Sequence, residues 1–474
     1  MRNTIAAVVL AATIGVARAS VTPMCGDVNA SGKVTVADAL AVLKVSVGQQ
    51  VELVCGISIR PSKTGQTTSF GPGTDGDLQT GVARDFTDNG EGTITDNVSG
   101  LMWEKKDDSG GIHDMDNVYK WSTGTGNMDG AIVSTFLAAL NASAGFAGYT
   151  DWRIPNFSEL ESLSDFGKAD PATFAAFDSA CAPSCTVTTC SCTTSGTLWS
   201  STTYDDPLPY AWGVNPTFGD SGPDIKTHSH QVRAVRSGIT GVAPAAAAAN
   251  VRAASDTSKC GDLNGSGKVS VADALVILRA SLGLPVELVC PLSVQPLKTG
   301  ETTSFGAGSD GSLKNGAARS FSDNGHGTIT DNTTSPMWEK KDRSGGVHDV
   351  ANGLTWSTGT NDMDGQIVSL FLDVLNEGDG FAGHTDWRIP NLIELQTLAD
   401  FGTHGPAVYD EFNSGCESGC TVTTCSCSPT DACYSSSTLA VDPSRAWSVD
   451  MYDGALRARL KNEDARVRAV RSGN

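Results

Sequence analysis

Oxygen-bearing side chains recur at fixed intervals in the stretch from Asp27 to Asp38, where Asp27, Asn29, Ser31, Thr35 and Asp38 fall at positions 1, 3, 5, 9 and 12. Gly32 at position 6 permits a sharp turn, and Lys33 at position 7 offers its backbone carbonyl. This is the donor pattern of a calcium loop, in which hard oxygen ligands surround a hard cation. The pattern is written again with Asp262, Asn264, Ser266, Lys268, Ser270 and Asp273. With two carboxylates per loop the expected affinity is weak, on the order of 10⁻⁴ to 10⁻³ M. The competing reading is an Asx-rich turn that caps a helix without metal.

Each loop needs an element to leave on. The apolar pattern from Ala39 to Val45 suits a helix, and cysteines bracket the module as Cys25 and Cys55, then Cys260 and Cys290. A bridge between either pair closes a loop worth roughly 3 to 4 kcal/mol in the chain-entropy model. The loop spacing resembles one half of a type I dockerin, with two departures. The loops lie a whole unit apart, and position 5 is Ser where that family usually has Asp. The resemblance implies a cohesin-like docking partner.

The repeat extends far beyond the loops. Cys25 and Cys260, Trp103 and Trp338, Trp152 and Trp387, and Arg236 and Arg471 all keep one register offset, without gaps. A period this long marks a duplicated multi-domain unit in which each copy is expected to bury its own core. The expected organisation is a secretory signal at 1–19, a calcium module at 20–56, a larger domain at 57–238, an alanine-rich linker at 239–259, a second module at 260–290 and a second large domain at 291–474. The apolar run after Arg2 is too short to span a bilayer, and no other stretch is long enough, so a soluble, secreted or surface-associated protein is expected.

The chain carries 53 acidic against 33 basic residues, a net charge of −20, which disfavours nucleic acid and anionic membranes as partners. Thirteen cysteines in an exported chain imply a disulfide framework with an odd thiol. Cys181, Cys185, Cys190 and Cys192 recur as Cys416, Cys420, Cys425 and Cys427. Their spacing fits disulfides better than zinc, with three connectivities open per copy. Cys433 has no counterpart and is either a buried thiol or a bridge to another chain.

Within each large domain, residues 86–97 read as a hairpin turning at Asn89-Gly90, and Leu101 to Lys105 as a strand. Ala131 to Leu140 reads as a helix. Asp151-Trp152-Arg153-Ile154-Pro155-Asn156 is a strand-to-helix corner whose Asn156 and Glu159 form a capping box opening a helix through Leu163 and Phe166. Trp199 to Thr202, Ala211 to Val214 and Val232 to Arg236 read as late strands. The recurring tryptophans are expected in the core, with any exposed ones free to stack on sugar rings. His113 with Asp114 and Asp116, repeated as His348 with Asp349, is a possible metal or ligand loop. Arg457, Arg459, Lys461, Arg466, Arg468 and Arg471 are a candidate anion patch, or else a solvated edge strand. His228 and His230 occur only in the first copy.

The hairpin with Gly-Leu-Met-Trp-Glu, the Asp-Trp-Arg-Ile-Pro-Asn corner, the Trp-Ser-Ser-Thr strand and the final Val-Arg-Ala-Val-Arg together resemble the Lcl C-terminal domain family of bacterial surface proteins. That resemblance implies an α+β domain of C-type lectin-like fold, similar to the group containing the formylglycine-generating enzymes. It further implies glycan binding and adhesion, with sulfated glycosaminoglycans the ligands in the best-known member; the acidic charge of this chain argues against such polyanions. No nucleophile elbow, zinc-protease helix or phosphate-binding loop stands out. The expectation is therefore a non-catalytic glycan or cell-surface binding protein. A cohesin-docking component is the alternative, and an oxidase of the formylglycine-generating kind a lesser one.

Overall fold

The computed structural model describes residues 35–49, 58–204, 209–237, 270–282, 292–293 and 296–472. The secretory segment, the linker, the four module cysteines and most of both calcium loops lie outside the described residues. The chain divides into two compact units. One contains the helices Val36–Ser46 and Val271–Ser281; the other contains both large domains, with their described residues between Ile59 and Ser237 and between Leu292 and Ser472. Among the described residues no helix is long and apolar enough to cross a membrane.

In the helical unit, each helix opens with a capping box. The Asp38 carboxylate accepts from the Thr35 amide and hydroxyl, both at 2.8 Å, and Asp273 does the same with Ser270. Each helix buries a narrow stripe, Ala39 with Val42 and Ala274 with Ile277, and the two helices pack against each other.

The larger unit is mixed α and β, as expected, but built from small sheets. In the first copy four antiparallel strands lie in the order Val235–Ser237, Leu101–Glu104, Thr93–Asp96, Phe86–Asp88. Register places Ile94 opposite Trp103 and Trp103 opposite Val235, so three fully buried residues form one row across the sheet. Burying each contributes roughly 1.5 to 3 kcal/mol. The second copy repeats the row with Ile329, Trp338 and Val470. The hairpin is where the sequence predicts it, although its loop is longer than a two-residue turn: the Asn89 amide donates to the Thr93 carbonyl, and both Gly90 and Gly92 take positive φ. A second sheet joins Leu198–Thr203, Tyr210–Val214 and Ser221–Ile225, and a short pair joins Tyr119–Lys120 to Ser229–His230.

The helix predicted over 131–140 is present, and six of its residues, Ile132–Leu137, are π-helical. The corner helix is shorter than predicted, running only from Phe157 to Glu161. It ends in a tightened turn, with the amides of Ser162, Leu163 and Ser164 bonding three residues back to Glu159, Leu160 and Glu161, after which Asp165 donates to the Ala172 carbonyl and Phe166 to the Thr64 carbonyl.

The expectation that each copy buries its own core is not met. Residues 66–80 of the first copy lie on the second, and residues 301–315 of the second lie on the first. Phe70 packs with Trp356, Met363 and Trp387, while Phe305 packs with Trp121, Met128 and Trp152. Backbone bonds fix both crossings, Met363 to Phe70 at 2.7 Å and Met128 to Phe305 at 2.6 Å. Lys461 stands over the Phe70 and Trp356 rings, and Lys226 over Phe305 and Trp121. Each arm departs through a glycine at positive φ, Gly65 and Gly300, where a Cβ would overlap the Asp165 or Asp400 carboxylate. The reason is physical: two copies held at high effective concentration by one chain complete each other's apolar cores more fully than either closes alone.

Candidate functional site

The exchanged arms bring equivalent residues of the two copies face to face about an approximate two-fold axis. Glu161 meets Gln396, its own counterpart, with the amide donating to the carboxyl at 2.7 Å. On the same unit the Leu456 amide donates to the hydroxyl of its counterpart Ser221 at 3.1 Å. Two carboxyls straddle the copies: Asp75 accepts from Thr64 and Ser437, both at 2.6 Å, and Asp310 accepts from Thr299 and from Thr202 at 2.7 Å. Burial pushes both up to about 6, against the opposing pull of those hydroxyls.

A cleft with a cavity of about 80 Å³ opens at this axis, between the corner helices. Its walls include Arg84, Arg319, Glu161, Gln396, Phe401 and Tyr409. Each arginine is anchored by a buried aspartate of its own copy, Arg84 to Asp96 and Arg319 to Asp331, both at 3.0 Å. Arg84 also reaches the Ser62 hydroxyl at 3.1 Å, and Arg319 the Thr397 carbonyl at 2.7 Å. The Arg84 Nε and the Arg319 Nε and Nη1 are buried without a hydrogen-bond partner. Such groups cost free energy until an acceptor meets them. Burial pushes the Glu161 carboxyl up to about 8, only partly offset by the Gln396 amide, so near neutral pH it is mostly protonated and offers a donor. Phe401 and Ile393 supply an apolar surface beside these donors. The arrangement suits a neutral ligand with closely spaced oxygen acceptors and an apolar face.

Of the twelve calcium-ligand candidates, Thr35, Asp38, Ser270 and Asp273 are described, and all four take part in the helix caps. Asp27, Asn29, Ser31, Lys33, Asp262, Asn264, Ser266 and Lys268 lie outside the described residues. The corner is architectural. Arg153 makes a two-pronged bond to Glu159 at 2.6 and 2.7 Å, and Glu159 also takes the Asn156 amide, closing the predicted capping box. The Asn156 side chain has a second task that sequence reasoning missed: it donates to the Asn315 carbonyl of the opposite arm, as Asn391 does to Thr80.

The other candidates resolve against binding roles. All recurring tryptophans are buried, so none stacks on a sugar. His113 is bonded to the buried Glu104 at 2.7 Å and packs on Phe146, and His348 repeats this with Glu339 and Phe381. The cationic cluster is not a patch. Lys461, Arg468 and Arg471 are buried, while Arg457, Arg459 and Arg466 pair with Asp450 and Asp453, Glu463, and Asp431. The cysteine groups form nested disulfides, Cys181–Cys192 around Cys185–Cys190 and Cys416–Cys427 around Cys420–Cys425. Cys433 is a buried free thiol, which removes the bridge to another chain. Arg84, Arg319 and Glu161 were not legible as a site. Arg84 and Arg319 repeat, but only the exchange of arms brings them together.

Fold and cleft define an internally duplicated α+β protein whose two copies share a core and a cleft at their axis. The Lcl C-terminal domain model matches residues 92–236 and 327–471, together more than half of the chain, and the chain belongs to the Lcl C-terminal domain family. Both exchanged arms lie outside the matched segments. No curated protein and no solved structure gives a match.

Proposed function

We propose that this is a secreted or surface-associated, non-catalytic binding protein that recognises glycans, with a sugar unit seated in the cleft between the two copies. The observation that carries the reading is the set of unpartnered buried donors of Arg84 and Arg319 beside the protonated Glu161 carboxyl and an apolar surface. A sugar presents adjacent hydroxyl oxygens on its edge and C–H groups on its face, which is the complement of that wall. Because Asp96 and Asp331 neutralise the arginines, the site favours neutral glycans over sulfated ones. In this reading, calcium held by Asp27, Asn29, Ser31, Lys33, Thr35 and Asp38, and by Asp262, Asn264, Ser266, Lys268, Ser270 and Asp273, braces the small modules.

Glycan-array screening with and without calcium tests it. Binding is expected, and Ser158→Trp, which fills the cleft without removing a hydrogen bond, is expected to abolish it. Failure to bind any glycan under either condition sinks the reading.

A second reading, docking on a cohesin-like partner, is favoured by one observation. The paired helices each leave a row of large apolar side chains exposed, Val36, Leu40 and Val47 on one and Val271, Leu275 and Leu282 on the other. Pull-down against cohesin domains, compared with Asp27→Ala/Asp262→Ala, decides it: capture that calcium loss abolishes supports docking, and no capture excludes it.

A further inference from the structure

We infer that the first copy carries a transition-metal site, of the zinc class, formed by Asp224, His228 and His230. Asp224 is the penultimate residue of the strand Ser221–Ile225, His228 sits in the turn that follows, and His230 lies on the short strand Ser229–His230. The turn folds both imidazoles back onto one carboxylate. His228 Nδ1 lies 3.1 Å from one Asp224 oxygen and His230 Nε2 lies 2.6 Å from the other. One ligand atom from each of the three residues lies within 4.8 Å of the others. A tetrahedral zinc ion with bonds near 2.1 Å needs ligand atoms about 3.4 Å apart, a spacing small side-chain rotations supply here.

The surroundings favour metal over a simple hydrogen-bonded cluster. The His230 ring is steadied edge-on against Trp199 at 4.6 Å, and its backbone is paired with Tyr119, so one ligand is held in place. Asp224 and His228 are open to solvent, with side-chain exposures of 37% and 54%, so an ion can enter and replace the two imidazole–carboxylate hydrogen bonds, each ring then carrying its N–H on the nitrogen that faces away from the metal. Nitrogen donors select zinc over calcium. Three protein ligands leave a fourth tetrahedral position for water or an oxygen of an incoming ligand.

The second copy is an internal comparison. The same three positions hold Arg459, Glu463 and Ala465, and there Arg459 faces Glu463 across 3.8 Å. Tyr434 replaces Trp199 and donates its hydroxyl to the Leu460 and Glu463 carbonyls. One copy therefore closes this turn with an ion pair and a tyrosine, the other with metal-ligating side chains. The remaining close clusters have other employment. The cysteines are paired as disulfides, and Asp114 bonds the amides of Gly110 and Asp116.

The test is a zinc titration by calorimetry of the full chain, made without a histidine tag and in saturating calcium so that oxygen-rich loops are already filled. One zinc per chain is expected, weakened at least about tenfold in His228→Ala/His230→Ala and unchanged in Glu463→Ala of the second copy. Circular dichroism checks that the double variant is folded; if it is not, the exposed single substitution His228→Ala replaces it. No zinc uptake by the wild-type chain at micromolar concentrations, or equal uptake by a folded variant, overturns the assignment.

Discussion

Glu161 shows how one side chain can carry the asymmetry of a duplicated protein. A second glutamate at position 396 would place two carboxyls against each other at the axis; Gln396 instead donates to Glu161. Burial still raises the Glu161 pKa from 4.5 to about 8. Between those values the folded chain holds a proton that the unfolded chain has released, so stability falls as pH rises through that window. Asp75 and Asp310, raised from 3.8 to about 6, act with the same sign at lower pH. Thermal unfolding is therefore expected to shift downward from pH 5 to pH 8, and Glu161→Gln to flatten that slope and to gain stability at pH 8 on the order of a few kcal/mol. An unchanged slope in the variant would show that the carboxyl is solvated. Cys433 yields a second prediction. Burial pushes its thiol up to about 12, so iodoacetamide should leave it unlabelled in the native protein and modify it once the chain is denatured, as read by peptide mapping.

At the scale of elements, the corner from Asp151 to Glu161 was legible as a local structure because its signals are local. A proline, a cap and a glutamate three residues on specify a helix start whatever surrounds them. The path of the chain beyond the helix is not local, since the amides of Asp165 and Phe166 are taken by Ala172 and by Thr64. The strand Ser221–Ile225 escaped notice for a related reason. Its Ser-Gly-Pro-Asp-Ile sequence has no alternation, and pairing with Tyr210–Val214 alone makes it a strand. Because Asn156 and Asn391 both cap a helix and bond the opposite arm, replacing either by Ala is expected to cost about 1 to 2 kcal/mol in urea unfolding. A loss near zero in both would mean that neither bond matters in solution.

At the scale of the molecule, the exchanged arms make the two large domains one cooperative body. Phe70 and Phe305 are the anchors, each seated among the other copy's tryptophans and under a lysine. Phe70→Ala is expected to destabilise by roughly 3 to 5 kcal/mol and to lower the unfolding temperature of both copies together, as a single calorimetric transition. If a protease site is inserted within residues 239–259 and cleaved, the halves should still co-elute on gel filtration and separate only in denaturant. Two independent transitions, or halves that part under native conditions, would refute the shared core.

The sequence by itself determined the duplication and its register, the corner and its capping box, the central hairpin and the burial of the tryptophans, because periodicity, turn chemistry and apolar pattern act over a few residues. Tertiary structure alone decided which cysteines pair, that the cationic run is buried or ion-paired residue by residue, and that each copy completes the other. Those outcomes depend on contacts between residues far apart in the chain, Glu161 with Gln396 and Asp75 with Ser437 among them. The cleft, with its unpartnered arginine donors, exists only where those contacts meet.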